Sequence, residues 1–316
     1  MTSPCYEPSG DWKSDYQTVM KLKKMNLEMK VAYSKMIVQK FFIANKGKVY
    51  VSFSGGKDST VLLHLVRSIY PDVPAVYFDT GMEFPENRKF VKGFDNVEFL
   101  KPPMTFKEVL DVFGYPCIGK NASHYISLAQ RGKPSGIKQM NAETKYGYKQ
   151  FLYMVNAPFK VSEKCCNVMK KHPAHQYHRE TGRCPIIGTR VDESRIREQA
   201  YITEGDNHKS GGIPISAPLS IWTDNDISKY VELNHIKLSD CYTRLGYDRT
   251  GCMFCMFGIM SDKNRFLKLK ATHPAVWKQC MKDKSEGGLG MKEVLEFMNI
   301  PTGCEQTNLT EHGMVI

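Results

Sequence analysis

Ser54-Gly55-Gly56-Lys57-Asp58-Ser59-Thr60 stands between an apolar run at 48–53 and a helical pattern at 58–70. Two glycines let a backbone turn sharply and come close to a ligand. A helix beginning there aims amide N–H groups and a partial positive charge at any anion in the turn. Lys57 adds a full charge, and Ser54, Ser59 and Thr60 add hydroxyl donors. The spacing is not that of a Walker A loop, which needs GxxxxGK[ST]. The competing reading is an ordinary strand-to-helix turn with Asp58 or Ser59 as helix cap. A second cluster with chemistry is sulfur. Cys252-Met253-Phe254-Cys255 fits zinc, an iron–sulfur centre or a redox pair, and the adjacent Cys165-Cys166 lies upstream. No strand–CxxC–helix opening of the thioredoxin kind surrounds it. Cys5, Cys117, Cys184 and Cys280 read as small buried hydrophobes.

The elements that must hold these groups alternate. Strands are expected at 48–53, 75–79, 97–100 and 185–188. Helices are expected at 31–43, 58–70, 86–94, 105–113, from Asp192, at 225–234, near 273–282 and near 290–298. Strands alternating with helices predict an α/β fold with an open twisted parallel sheet covered on both faces. Residues 1–30 read as a loose lysine-rich arm, 31–240 as the α/β domain with an irregular insertion at 114–160, and 241–316 as a C-terminal cysteine-bearing helical segment. Trp222 reads as a core aromatic. The 316 residues carry 44 Lys+Arg against 33 Asp+Glu, a net charge of +11 that suits an anionic partner. The N-terminus has acidic residues and no apolar core, and no stretch reaches the roughly 18 apolar residues of a membrane helix, so a cytoplasmic protein without membrane contact is expected. Ten cysteines in a reducing compartment favour metal binding or catalysis over disulfides.

Ser54-Gly55-Gly56-Lys57-Asp58-Ser59 resembles the PP-loop of the adenine nucleotide α-hydrolase superfamily, a Rossmann-like fold. Asp79-Thr80-Gly81 with Glu83, Pro85 and Glu86 resembles the DTG…PE segment of the phosphoadenylyl-sulfate (PAPS) reductase family. Gly188-Thr189-Arg190 with Glu193 and Ser194 resembles that family's GxRxxES segment, and Ala217-Pro218-Leu219, Trp222-Thr223 and Asp226 match a later one. The resemblance implies an adenine nucleotide held by Ser54, Gly55, Gly56, Lys57, Asp58, Ser59, Asp79, Thr80, Gly81, Arg190, Glu193 and Ser194. The backbone of 79–81 would take the adenine and ribose. Lys57, Asp58 and Arg190 would carry the chemistry, with Lys57 and Arg190 neutralising phosphate or sulfate oxygens. An ion pair between Arg190 and Glu193 or Asp192 is the alternative. A vicinal pair, a long gap and a CxxC resemble the [4Fe-4S] ligands of the assimilatory adenylyl-sulfate reductases. That implies a cluster on Cys165, Cys166, Cys252 and Cys255, with zinc as alternative and Cys241 as a possible substitute ligand.

The family's reductases end in a Glu-Cys-Gly…His segment whose cysteine attacks sulfur. Here the nearest match is Thr302-Gly303-Cys304-Glu305 with His312, in which the glycine precedes the cysteine. Three functions follow from the resemblance. One is an enzyme that cleaves Mg2+-ATP at the α-phosphate and transfers sulfur, with a nucleic acid as possible acceptor and a sulfur-donor protein as partner. Another is an adenylyl-sulfate or PAPS reductase using Cys304 and a thioredoxin-like reductant. The third is a nucleotide-binding subunit without turnover.

Overall fold

The computed structural model describes residues 5–143 and 147–304. The chain divides into two compact units, Met1–Thr105 with Val168–Cys252, and Phe106–Asn167 with Met253–Ile316. Both are discontinuous, so the division does not follow the expected boundary near 240. The stretch expected as an insertion shares a unit with the C-terminal helices.

The first unit is the α/β unit. In chain order it contains α1 (Trp12–Lys23), α2 (Leu27–Ala44), β1 (Val49–Ser52), α3 (Lys57–Arg67), β2 (Ala75–Phe78), α4 (Pro85–Val91) and β3 (Val97–Leu100). It resumes with α5 (His172–Thr181), β4 (Cys184–Ile186), α6 (Arg195–Glu204), β5 (Asn207–Ser210), β6 (Ile213–Ser216), α7 (Asp224–Leu233) and α8 (Asp240–Thr243). The strand order is β3-β2-β1-β4-β6-β5. All neighbours are parallel except β5 and β6, an antiparallel hairpin at the edge. That hairpin departs from the all-parallel expectation.

The period of two along a strand divides the core. Val49, Val51, Ala75 and Tyr77 face one layer, where they meet α2 (Ile37, Val38, Phe41), α3 (Val61, Leu62, Leu65, Val66) and Trp222, Ile227 and Tyr230. Tyr50 and Val76 face the other layer and meet Tyr177 of α5. Helices therefore cover both faces. Trp222 is wholly buried, and its Nε1 donates to Ser34 Oγ at 2.9 Å, which satisfies the indole N–H inside the core. The expected loose arm holds α1, which starts from Asp11 as N-cap, its side chain accepting from Lys13 N.

The second unit holds helices Phe106–Phe113, Lys120–Gln130 and Pro134–Met140, a 3-10 stretch at Lys149–Asn156, and helices Arg265–Thr272, Pro274–Met281 and Met291–Phe297. The insertion expected to be irregular is thus largely helical. Among the described residues no helix is long and apolar enough to cross a membrane.

Candidate nucleotide site

The strand order reverses between β1 and β4. β2 and β3 lie on one side of β1, and β4, β6 and β5 on the other. A crevice forms outside the carboxyl ends of strands at such a point, because the two following loops leave in opposite directions. Residues 53–59 follow β1 and residues 187–194 follow β4, so both expected loops stand there.

Local chemistry shapes the glycine loop. Gly55 has φ +72°, a conformation that disfavours any Cβ. A Cβ there would lie 2.6 Å from Val91 Cγ2 and 2.8 Å from Asn87 Nδ2. Asn87 itself is buried, and its Nδ2 donates to the Ser54 carbonyl at 2.5 Å, tying the loop to α4. Helix α3 begins at Lys57 with Gly56 as N-cap, and no side chain caps it. That removes the reading of Asp58 or Ser59 as an ordinary cap. The hydroxyls expected to face a ligand are partly used inside the loop. Ser59 Oγ donates to the Gly56 carbonyl at 2.9 Å and lies 3.1 Å from Ser54 Oγ. Thr60, buried, donates to the same carbonyl at 2.9 Å. The Lys57 N–H donates to the Tyr242 hydroxyl at 3.0 Å, and that hydroxyl is 2.9 Å from Thr250 Oγ1.

Lys57 and Arg190 converge on one carboxylate. Asp224 Oδ1 lies 2.8 Å from Lys57 Nζ and 2.8 Å from an Arg190 terminal nitrogen. Arg190 Nε lies 3.2 Å from Asp58 Oδ1. Burial pushes the Asp58 carboxyl up, and the Arg190 and Lys57 charges pull it back without cancelling the shift. Burial also opposes the Arg190 charge, but Asp58 and Asp224 outweigh it and hold the guanidinium above its ordinary value. Hydrogen bonding from Lys57, followed by the charge of Arg190, lowers the Asp224 carboxyl.

The alternative of an Arg190 side-chain pair with Glu193 or Asp192 is replaced by these contacts. Glu193 accepts instead from the Arg190 backbone N–H at 3.0 Å and lies 3.3 Å from Arg249. Asp192 pairs with Lys23 at 3.1 Å. Ser194 is the N-cap of α6, its hydroxyl accepting from Arg197 N at 3.3 Å. Ser194 therefore shapes the loop from its far end.

The third expected segment is a turn after β2. Asp79 is gripped by Arg88, with Nε 3.1 Å from each carboxylate oxygen and a terminal nitrogen 2.6 Å from Oδ2. Thr80 donates through its hydroxyl to Glu83 Oε1 at 2.7 Å and through its N–H to Oε2 at 3.0 Å. These side chains build the turn. A Cβ at Gly81 would meet nothing within 4 Å, so this glycine of the turn faces open space. Asp226, matched by motif, lies away from this cluster. It pairs at 2.6 Å with buried Lys30 and caps α7 through Thr223.

Asn87, Asp224, Tyr242 and Thr250 were not singled out by sequence. Only for Asp224 was there a signal, its place beside the Trp222-Thr223 motif.

Of the sulfur set, Cys252 belongs to the α/β unit, and Cys165, Cys166 and Cys255 to the other. Four thiols have the softness and number a [4Fe-4S] cluster needs. Among the described residues no group of three or more His, Cys, Asp or Glu side chains that could hold a metal ion is found. Burial raises the Cys5, Cys117, Cys184, Cys241 and Cys280 thiols, as expected of small buried hydrophobes for all but Cys241. Cys304 is half-buried, its N–H donating to Thr302 Oγ1 at 3.1 Å, while Glu305 and His312 lie outside the described residues.

The family model for the phosphoadenosine phosphosulfate reductase domain matches residues 48–97 and 99–257. Among curated proteins, an uncharacterized protein of Methanocaldococcus jannaschii is 26% identical over 268 residues, covering 82% of this chain and 54% of that protein. A phosphoadenosine 5′-phosphosulfate reductase of Photobacterium profundum is 25% identical over 266 residues, 82% of this chain and 89% of that protein. The chain spans about half the length, 54% and 41%, of the two Methanocaldococcus jannaschii proteins it matches. Among solved structures, the PAPS reductase of Candida auris is 15% identical with a TM-score of 0.42, covering 78% of this chain and 96% of that one.

Proposed function

The chain belongs to the phosphoadenosine phosphosulfate reductase family, and on that premise we propose that it is an adenine-nucleotide enzyme that activates an acceptor by adenylation for sulfur transfer. The observation that carries the reading is the convergence of Lys57 Nζ and the Arg190 guanidinium on a single point at the sheet's switch, beside the start of α3. Two cations on one oxygen are what a phosphate oxygen requires, and the first-turn amides of a helix add donors.

In this reading ATP enters as its magnesium complex. Its phosphates lie along Gly55 to Ser59, and its adenosine against the turn at 79–81. An acceptor oxygen attacks the α-phosphorus, the bond from that phosphorus to the bridging oxygen breaks, and pyrophosphate leaves with the electron pair. A sulfur nucleophile then displaces the adenylate, and AMP leaves. Lys57 and Arg190 offset the negative charge that grows on the non-bridging oxygens. Asp58 holds Arg190 in place, and Asn87 fixes the loop by its bond to the Ser54 carbonyl. A net charge of +11 tolerates a nucleic acid as acceptor, and a sulfur-donor protein is the partner such a transfer needs. A [4Fe-4S] cluster on Cys165, Cys166, Cys252 and Cys255, or zinc in its place, is proposed on thiol chemistry alone, and none of these steps uses it.

A second reading, reduction of PAPS or adenylyl sulfate, is favoured by the Photobacterium profundum relative, 89% of which the chain covers. Anaerobic turnover with ATP, adenylyl sulfate and PAPS separates the two. Pyrophosphate from ATP in the presence of acceptor supports adenylation. Sulfite from adenylyl sulfate or PAPS, without pyrophosphate from ATP, replaces it with reduction.

A further inference from the structure

Asp224 has no part in the motifs that mark the site, yet it holds both of the site's cations. Its Oδ1 bridges Lys57 Nζ and Arg190 at 2.8 Å each. The side chain is 71% exposed, whereas Arg190 is 4% exposed. The two carboxylates on Arg190 thus differ in kind. Asp58 lies on α3, is largely buried, and remains on the Nε edge. Asp224 lies in the first turn of α7, where Thr223 and Asp226 already form the capping box, so the helix start does not depend on its carboxylate. Its backbone carbonyl accepts from Ser228 Oγ at 3.0 Å, a bond that survives any change of side chain.

We propose that Asp224 is a built-in counter-anion that occupies the phosphate position, and that its displacement sets the affinity of the Lys57–Arg190 site for polyphosphate. The proposal deepens the nucleotide reading and rests on it for the identity of the ligand. One oxygen within hydrogen-bonding distance of a lysine and an arginine stands where a phosphate oxygen must go to use both. An exposed carboxylate returns to water at little cost, so it can yield to a doubly charged phosphate group, but it competes while it stays. It also favours ligands carrying more than one charge per phosphorus–oxygen cluster over singly charged anions.

The other arrangement open to an exposed carboxylate is to ligate the magnesium that accompanies ATP, and that has the opposite sign. Calorimetry with inorganic pyrophosphate in chelator, and with ATP with and without magnesium, tests the difference on wild type, Asp224→Asn and Asp224→Ala. Circular dichroism verifies that each is folded. Pyrophosphate is expected to bind each variant about tenfold more tightly, the equivalent of about 1.4 kcal/mol, and Lys57→Ala is expected to abolish that gain. Unchanged or weaker pyrophosphate binding, including none to any form, overturns the proposal. So does a magnesium-dependent loss of ATP affinity in Asp224→Asn. Tighter pyrophosphate binding without any ATP binding keeps the counter-anion and removes the nucleotide reading.

Discussion

Gly55→Ala tests the geometry on which the site depends, and its cost can be worked out contact by contact. The glycine has φ +72°, where an L-residue loses about 1–2 kcal/mol. The new methyl would lie 2.6 Å from Val91 Cγ2 and 2.8 Å from Asn87 Nδ2. Neither neighbour can move freely. Val91 is wholly buried, and Asn87 is held by its bond to the Ser54 carbonyl. Overpacking of that kind costs about 1–3 kcal/mol, so the variant should lose about 2–5 kcal/mol in all. Gly81→Ala is the control. It has a similar φ of +75° but open space around the Cβ, so it should lose only the conformational part, about 1–2 kcal/mol. Urea denaturation of both variants reads the difference as a shift in midpoint. Combining Gly55→Ala with Val91→Ala should cost less than the two single losses added, since the second change vacates the space the first needs. Equal midpoints for Gly55→Ala and Gly81→Ala, or strict additivity in the double variant, would refute the packing argument.

Other outcomes are expected on the same footing. Lys57→Ala should weaken ATP binding about tenfold, as the loss of one charge-assisted contact does, and Arg190→Lys should retain more affinity than Arg190→Ala; unchanged calorimetric affinity removes either residue from the site. Asp226→Asn leaves Lys30 buried without its counter-charge and should cost about 3–5 kcal/mol at neutral pH. Burial raises the Asp226 carboxyl, but Lys30 and Thr223 outweigh it and hold it low. The stabilisation is therefore full above the ordinary aspartate value and lost as pH falls through the depressed one, so the gap to wild type should close in acid denaturation series, and a gap that widens in acid contradicts the pairing. Anaerobic reconstitution should give about four irons per chain if the thiols hold a cubane, and Cys252→Ser should lose them; zinc alone after reconstitution rejects the cluster. Cys304→Ser should leave pyrophosphate release from ATP unchanged, whereas a fall of about a hundredfold or more in sulfite release would assign it the nucleophile's role.

The parallel core was legible because its strands are short apolar runs with turn residues at both ends, as in Val49 to Ser52 and Ala75 to Phe78. The β5–β6 hairpin was not. Asn207, His208, Lys209 and Ser210 are polar and only partly covered at the sheet edge, so they carry no hydrophobic period. The available signal was Gly211-Gly212, both at positive φ, which is what a tight hairpin turn demands. The helices Lys120–Gln130 and Pro134–Met140 were missed for a related reason, since small residues (Ala122, Ser123, Ala129 and Gly136) make up most of their buried faces and each contributes one large apolar side chain, Ile126 or Met140. A division into two discontinuous units is not expressed by any local change in composition, because each unit is completed by residues far along the chain.

The site divides by the same physics. Lys57 and Arg190 could be found because each sits where a strand ends, and the ends of parallel strands at a switch point must face one crevice whatever the intervening sequence. Asn87 and Tyr242 have types and spacings that any helix surface offers, and Asp224 has only its place beside the Trp222-Thr223 match, so sequence gives little reason to prefer them over their neighbours. What selects them is the strand order. Because β4 lies directly beside β1, the loop that carries Arg190 comes next to the loop that carries Lys57, and the start of α7 comes over both. Lys57 and Arg190 then stand as two cations beside a single carboxylate, Asp58, and Asp224, on an exposed side chain, supplies the second through one oxygen. The most accessible acidic group of the cluster thus follows from bringing Lys57 and Arg190 together at the switch point, and so from topology.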